Sequence, residues 1–421
     1  MPARVMFSMG QAAFKNTEGI SMKNSMVVFR RSVLLFHLGV FVALGVLVEQ
    51  VAAQASADEA EAVARVVARL EPEVRRAMLD GNIPSITLAL SNREGEMWSG
   101  AWGVSNLWAR TPASTQTIYL IGSTFKAQST VALLQQMEQG KFSLDDRVSD
   151  YLPDLEIRGE RAGYHVTFRH LLTHTSGMPV DFGPHLVWGE TAPLMLSEYL
   201  QDSLRVETPP LSGVVYSNMA YSLVAHLVQE FSGVPYKEYV RQNVWSPLGM
   251  LDTEFDISPE MEERLAVPYV PDDATGRNVA TFRLKANVWP AGIVYGTIHD
   301  QARWVSFNLG DGIAGGQEVL KPETIGAMQT LQFPDMAGEP MGGGWGYELP
   351  GYGLTWWTTT RGKEKYFAHS GSLPGYTAFV MGNRARGHGV SFLTNGNSAH
   401  PHLVRLSNLA IDLMAEEFRV K

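Results

Sequence analysis

No cysteine occurs anywhere in the 421 residues. Disulfides, thiolate nucleophiles and cysteine-based zinc sites are therefore excluded, and any covalent catalysis has to use another residue. No low-complexity tract and no repeat of fixed period is present, which excludes solenoids and propellers. Lysine is scarce, at ten residues. Charged residues make up 18% and hydrophobic ones 45%, an ordinary globular balance, and length alone allows about two to three domains.

A long hydrophobic run is also missing. A membrane-spanning helix needs about 20 apolar residues. The run from Val33 to Val48 is shorter and is interrupted by His37. Lys23, Arg30 and Arg31 precede it, and small residues ending in Ala53-Gln54-Ala55 follow, which is the three-part pattern of a secretory signal peptide. Residues 1–55 are thus expected to be a leader and signal peptide, or a membrane anchor if uncleaved. Arg30-Arg31 partly fits a twin-arginine signal. The mature chain is expected to be periplasmic or secreted, with no stable membrane span after signal removal. Losing five Lys/Arg and two acids with that segment takes the net charge from −9 to −12. No basic cluster remains, so nucleic acid is not an expected partner.

Apolar residues at helical spacing over 58–80, stopped by Gly81, predict a first helix. SITLALS (85–91) and EMWSGAWG (96–103), joined by the turn NREG, predict a hairpin, and TIYLIG (117–122) a third strand. From Ser123 to about Ala280 the signals are mostly helical. Strand signals return at 365–371, 376–383 and 389–396, and a final helix carries Leu403, Leu406, Leu409, Ala410, Leu413 and Phe418 on one stripe. The expected fold is α+β: an antiparallel sheet flanked by terminal helices, with a mostly helical domain inserted. The expected divisions are 56–122 with 281–421 for the α/β part and 123–280 for the helical part.

Three stretches carry chemistry. In the first, Ser123 and Lys126 stand three apart at the start of a helix predicted over 123–139. Residues at that spacing share a helix face, so amine and hydroxyl come within reach. Burial and the positive end of the helix dipole both favour a neutral amine, which can act as a base. Free amides at the helix start can hold an oxyanion. The plain alternative is an N-cap serine followed by a snorkelling lysine. In the second, Tyr216-Ser217-Asn218, extended backbone would aim Tyr216 and Asn218 the same way. A nearby ammonium would lower the pKa of Tyr216 and let it shuttle protons. Asn218 can meet a substrate carbonyl or a lysine, or simply cap the next helix. In the third, His369-Ser370-Gly371 is expected to end a strand, with Gly371 allowing close approach.

Together these stretches resemble the S-x-x-K, Y-x-N and K-T-G or H-[ST]-G motifs of the serine β-lactamase and penicillin-binding protein superfamily. The separations resemble its class C-like branch, with class C β-lactamases, DD-carboxypeptidases and family VIII carboxylesterases. The phrases at 166–179, 216–233, 246–255 and 289–304 add to the likeness. The resemblance implies a β-lactamase/transpeptidase-like fold and a covalent acyl-enzyme on Ser123, with Lys126 and Tyr216 sharing the base work. It implies that Asn218 contacts the substrate amide and that the amides of Ser123 and Ser372 form the oxyanion hole. His369 takes the place of a lysine, and histidine is charged only part of the time near neutral pH. With Ser370 and Gly371 it would line the substrate. The implied substrate is a small-molecule or peptide ester or amide, cleaved in the manner of a carboxylesterase or D-amino-acid peptidase, and no cofactor is needed. The alternatives are a β-lactamase proper and a periplasmic sensor that traps an acyl group without turnover.

His170 and His174 have a metal-ligand spacing, but Leu171, Leu172 and Thr173 lie between them where a zinc motif would carry glutamate, so structural histidines and no metal are expected. Thr297 and Asp300 read as a helix-start cap. Trp345, Tyr347, Tyr352, Trp356 and Trp357 cluster before the third motif; adjacent Trp356 and Trp357 should face opposite sides, and the others are candidates to line an apolar cleft.

Overall fold

Strand Ser85–Ser91 (β1) has Ile86, Leu88 and Leu90 on one side and Thr87, Ala89 and Ser91 on the other, and every residue in it is buried. Alternation with burial on both sides places it inside a layered structure. The computed structural model describes residues 57–179, 196–286, 289–336 and 351–418 and shows those layers. The other sheet strands are Glu96–Asn106 (β2), Thr111–Pro112 (β3), Trp357–Arg361 (β4), Glu364–Leu373 (β5), Tyr376–Asn383 (β6) and His388–Thr394 (β7). They form one seven-stranded sheet in the order β4-β5-β6-β7-β1-β2-β3. All its pairings are antiparallel, and Leu88 sits between Phe392 of β7 and Gly100 of β2. The chain thus closes the sheet with strands from both ends, as expected.

The two faces bury different sets. Ile86, Leu88, Leu90, Phe379, Val390 and Phe392 pack with Val66, Leu70, Val74 and Ala77 of the helix over 57–80 and with Leu403, Leu406 and Ala410 of helix His400–Glu417. Ala89, Ala378, Val380 and Leu393 face Trp304, Val305 and Leu309 of helix Ile298–Leu309 and join the core of the helical elements. Trp356 and Trp357 fall into these two separate cores, and both are buried. Residues 62–421 make one compact unit. The predicted signal segment, Trp345 and Tyr347 lie outside the described residues. Among the described residues no helix is long and apolar enough to cross a membrane.

Three expectations are corrected. TIYLIG is not a strand of the main sheet: only Tyr119–Leu120 is extended, paired with Tyr295–Gly296. The strand WTTTR (β4) went unpredicted, because a threonine run with a single apolar residue shows no alternation to read. His369-Ser370-Gly371 does not end its strand, since β5 continues to Leu373 and pairs with β6 throughout that stretch.

Phe392 is fully buried in the sheet core. Phe392→Ala is expected to lower stability by about 3–5 kcal/mol in urea unfolding. A loss near zero would contradict the assignment of this face as the main terminal-helix core.

Candidate functional site

Ser123 does not open a regular helix. Gly122–Phe125 is a 3₁₀ turn, and the α-helix starts at Lys126 and runs to Glu138. Gly122 takes φ +59, a left-handed conformation that turns the chain sharply out of the short strand. In 3₁₀ geometry residues i and i+3 eclipse, which brings the side chains of Ser123 and Lys126 together more directly than an α-helix would.

Two other glycines press backbone against this turn. A Cβ on Gly371 of β5 would stand 2.1 Å from the Ile121 carbonyl oxygen, and one on Gly292 would stand 2.9 Å from the Ser123 amide nitrogen. A Cβ on Gly122 would stand 3.1 Å from the Ser372 nitrogen, so the amides of Ser123 and Ser372 lie around one crowded point. β4 pairs with β5 only as far as Ala368. Beyond that residue β5 runs past the serine turn.

Lys126 is fully buried. Its Nζ lies 3.0 Å from Ser123 Oγ, 2.9 Å from Asn218 Oδ1 and 2.7 Å from the Ala291 carbonyl oxygen. Among the described residues no carboxylate pairs with it. Burial without a counter-ion holds its pKa well below the ordinary lysine value, which favours the neutral amine. A neutral amine has two N–H bonds and one lone pair. In that form the two carbonyl oxygens take the N–H bonds, which leaves the lone pair for the Ser123 hydroxyl to donate to; an ammonium would instead donate to Ser123 Oγ. Ser129 Oγ donates to the Pro290 carbonyl oxygen at 3.2 Å, so the same helix fixes the turn that presents Ala291.

Tyr216 and Asn218 both arrive at this amine. The ring centre of Tyr216 is 4.7 Å from Lys126 Nζ. Asn218 is the first residue of helix Asn218–Ser232, and the cap is Ser217, whose hydroxyl accepts from the Ala220 amide. Asn218 is therefore free to serve the lysine instead of capping. The expected lowering of the Tyr216 pKa is overturned. Burial pushes it up, a hydrogen bond with Ser123 offsets only part of that, and the ammonium that was to lower it is absent. The phenol stays protonated.

His369 also departs from expectation. It is 1% exposed, its Nδ1–H donates to the Ser370 carbonyl oxygen at 2.7 Å, and its ring stacks on Trp357 at 5.3 Å between centres. Burial holds its pKa down at about 3, with the charge Lys126 takes up once it is protonated at low pH as the lesser cause, so it is uncharged at neutral pH. Ser370 and Ser372 are half-buried, while Gly371 is enclosed.

His174 bonds the Ser217 amide through Nδ1, and no group of three or more His, Cys, Asp or Glu side chains able to hold a metal ion occurs among the described residues. His170 Nδ1 accepts from the Thr167 amide, completing a capping box. Thr297 caps its helix as expected, and Asp300 accepts from the Asp252 amide and the Thr253 hydroxyl, both at 2.8 Å. Sequence reasoning missed the Ala291 carbonyl and Gly292. Gly122, directly between strand and serine, was a readable signal for a tight turn; Ala291 and Gly292 come from a distant segment and had none.

The family description "Beta-lactamase" matches residues 59–413. Protein flp of Staphylococcus aureus (strain N315) is 23% identical over 352 residues, covering 82% of this chain and 66% of its own length, so the chain spans just under two thirds of that relative. Penicillin-binding protein 4 of Amycolatopsis lactamdurans is 24% identical over 329 residues, 76% of this chain and 82% of its own. The octameric penicillin-binding protein homologue from Pyrococcus abyssi superposes with a TM-score of 0.67 at 25% identity, over 82% of this chain and 77% of that one. A beta-lactamase/D-alanine carboxypeptidase from Pseudomonas syringae shares the fold with a TM-score of 0.66 at 17% identity, over 83% of this chain and 99% of that one.

His369, held at about 3, is joined by His170 and His400, each at about 4, and by His174, held well below 6.5; burial is the first cause in all four. Unfolded, these rings bind protons below about 6.5. The unfolded state therefore binds more protons between about 6.5 and 3, and stability falls as pH drops through that window. Urea midpoints at pH 7 and pH 5 should differ clearly, with the lower at pH 5. Equal midpoints would contradict the neutral burial of these histidines.

Proposed function

The chain belongs to the Beta-lactamase family, and from that premise we propose that it is a serine hydrolase that cleaves an ester or amide through a covalent acyl-enzyme on Ser123. The observation that carries the reading is the buried, uncharged amine of Lys126 at 3.0 Å from the Ser123 hydroxyl. In the proposed sequence Ser123 Oγ attacks the substrate carbonyl carbon and its proton passes to Lys126 Nζ. The amides of Ser123 and Ser372 hold the oxyanion. The tetrahedral intermediate then collapses, the bond to the leaving group breaks, and the leaving group takes a proton from Lys126 by way of the protonated Tyr216 phenol. Water reverses the steps to free the acid and Ser123. Asn218 holds the amine and contacts a substrate amide. No metal or organic cofactor enters this reading.

The substrate class follows from charge. The third-motif position offers a neutral His369 tied to its own strand, where a lysine would offer a fixed cation. Penicillins and cephalosporins carry a carboxylate, as do peptides with a free C-terminus. Esters and amides without a carboxylate at this point suit the site better, so we favour a carboxylesterase-type or neutral D-amino-acid amide activity over a β-lactamase. An acyl-trapping sensor would use the same serine, and steady-state turnover beyond one equivalent tells the two apart.

Two outcomes test this reading. Ser123→Ala is expected to abolish turnover of a nitrophenyl ester, and a fluorophosphonate should label the wild type on the peptide containing Ser123 and leave the variant unlabelled; retained turnover rules out the mechanism. Turnover should also fall as pH drops through the depressed pKa of Lys126, because only the deprotonated amine is a base. Separately, His369→Lys should raise acylation by a chromogenic cephalosporin relative to the ester by about tenfold or more, the order of one added charge contact. An unchanged ratio would remove the charge argument for substrate class.

A further inference from the structure

His174 lies outside the three motifs, is fully buried, and holds φ +57, a left-handed conformation uncommon for a residue other than glycine. Its surroundings explain that strain. The His174 carbonyl oxygen accepts from the Val215 amide at 2.8 Å. Two residues on, the Ser217 amide donates to His174 Nδ1 at 3.0 Å. In a regular strand pair that second amide would meet the next backbone carbonyl. The left-handed turn at His174 swings the chain away, and the imidazole nitrogen stands in for the missing carbonyl. The ring face then lies against Tyr216, with centres 4.2 Å apart, while Tyr221 and Tyr352 close around it at 5.3 Å.

We propose that His174 is a positioning residue that sets the register of the Tyr216–Asn218 segment against Lys126 and Ser123. One residue fixes the amides on both sides of Tyr216, the Val215 amide through its backbone carbonyl and the Ser217 amide through its ring nitrogen, and its ring packs the tyrosine between them. The Ser217 cap and Asn218 follow directly, so a shift of this segment would pull the Asn218 oxygen off Lys126 Nζ and turn its lone pair away from Ser123. The role requires an acceptor at the Nδ1 position, hence the neutral ring with its proton on Nε2. The proposal rests on the reading of Ser123 as nucleophile.

The experiment compares three variants by the rate of Ser123 labelling with a fluorophosphonate, by ester kcat/KM and by Tm. His174→Ala should lower kcat/KM and labelling by about a hundredfold, the cost of a misplacement near 1 Å. His174→Asn places its amide oxygen where Nδ1 stands and accepts a positive φ readily, so it should recover most of the rate. His174→Gln is of similar size but reaches the Nε2 position instead, and should not. Equal rates for the Asn and Gln variants, or wild-type labelling in the Ala variant, would overturn the proposal. If the variants do not fold, ¹⁵N NMR of histidine in the wild type decides it, since Nδ1 must be the unprotonated acceptor and a Nδ1–H tautomer sinks the idea. Failure of the wild type to label at Ser123 would instead overturn the hydrolase reading, and so is distinguishable.

Discussion

A lysine amine enclosed in protein, with no carboxylate beside it among the described residues, is the constraint from which the rest of this site follows. Removing an ammonium from water is costly, and the usual compensation is a paired acid. Lys126 lacks one and is instead surrounded by two carbonyl oxygens, a hydroxyl and an aromatic ring. Its least costly state is the free amine. The elements that converge on Lys126 then set where its lone pair points: helix Asn218–Ser232 brings one carbonyl and the turn Trp289–Ala291 the other. Their agreement leaves the third direction to Ser123. Neutrality and aim come from the same enclosure, which is why the site draws on segments as far apart as 126, 218 and 291.

The enclosure depends on backbone packed against backbone. Gly122, Gly292 and Gly371 have no side chains to separate the serine turn from β5 and from the turn before Tyr295–Gly296. β5 is held in turn by seven pairs with β6, so the amide of Ser372 inherits the rigidity of the main sheet. The proposed nucleophile and its proposed oxyanion donor are thus mounted on different elements that cannot drift apart without opening a backbone contact. This is the kind of preorganisation that electrostatic stabilisation requires.

Much of this was legible from local pattern. Alternation in SITLALS gave β1, the apolar stripe in 403–418 gave the last helix, and serine, lysine, tyrosine and asparagine were readable at their spacings. What was not legible depended on three-dimensional environment. Tyr216 was assigned a lowered pKa because a lysine near it was assumed charged, and the same burial that neutralises the lysine raises the phenol. His369 was read as partly charged for the same reason, since a sequence does not show that its ring is sealed against Trp357. His174 was set aside as structural, and its link to Ser217 across 43 residues had no local signature. The 3₁₀ turn at Ser123 was hidden by a helical pattern that continues into it, although Gly122 marked it.

The charge state of the resting site also constrains what it can bind. Burial depresses the pKa of both Lys126 and His369, which favours the free amine on Lys126 and leaves His369 uncharged at neutral pH. In the proposed mechanism acylation creates an ammonium on Lys126 and an oxyanion on the substrate in the same step, so each charge has its partner only while both exist. A substrate that arrives with its own carboxylate disturbs that balance before the reaction starts. At the third motif it finds the uncharged His369 in place of a cation, and placed near Lys126 it would favour protonation of the amine and so remove the base. An uncharged ester or amide leaves the amine free. On the proposed mechanism, the preference for a neutral substrate therefore comes from the base itself, in addition to any preference set by the shape of the cleft.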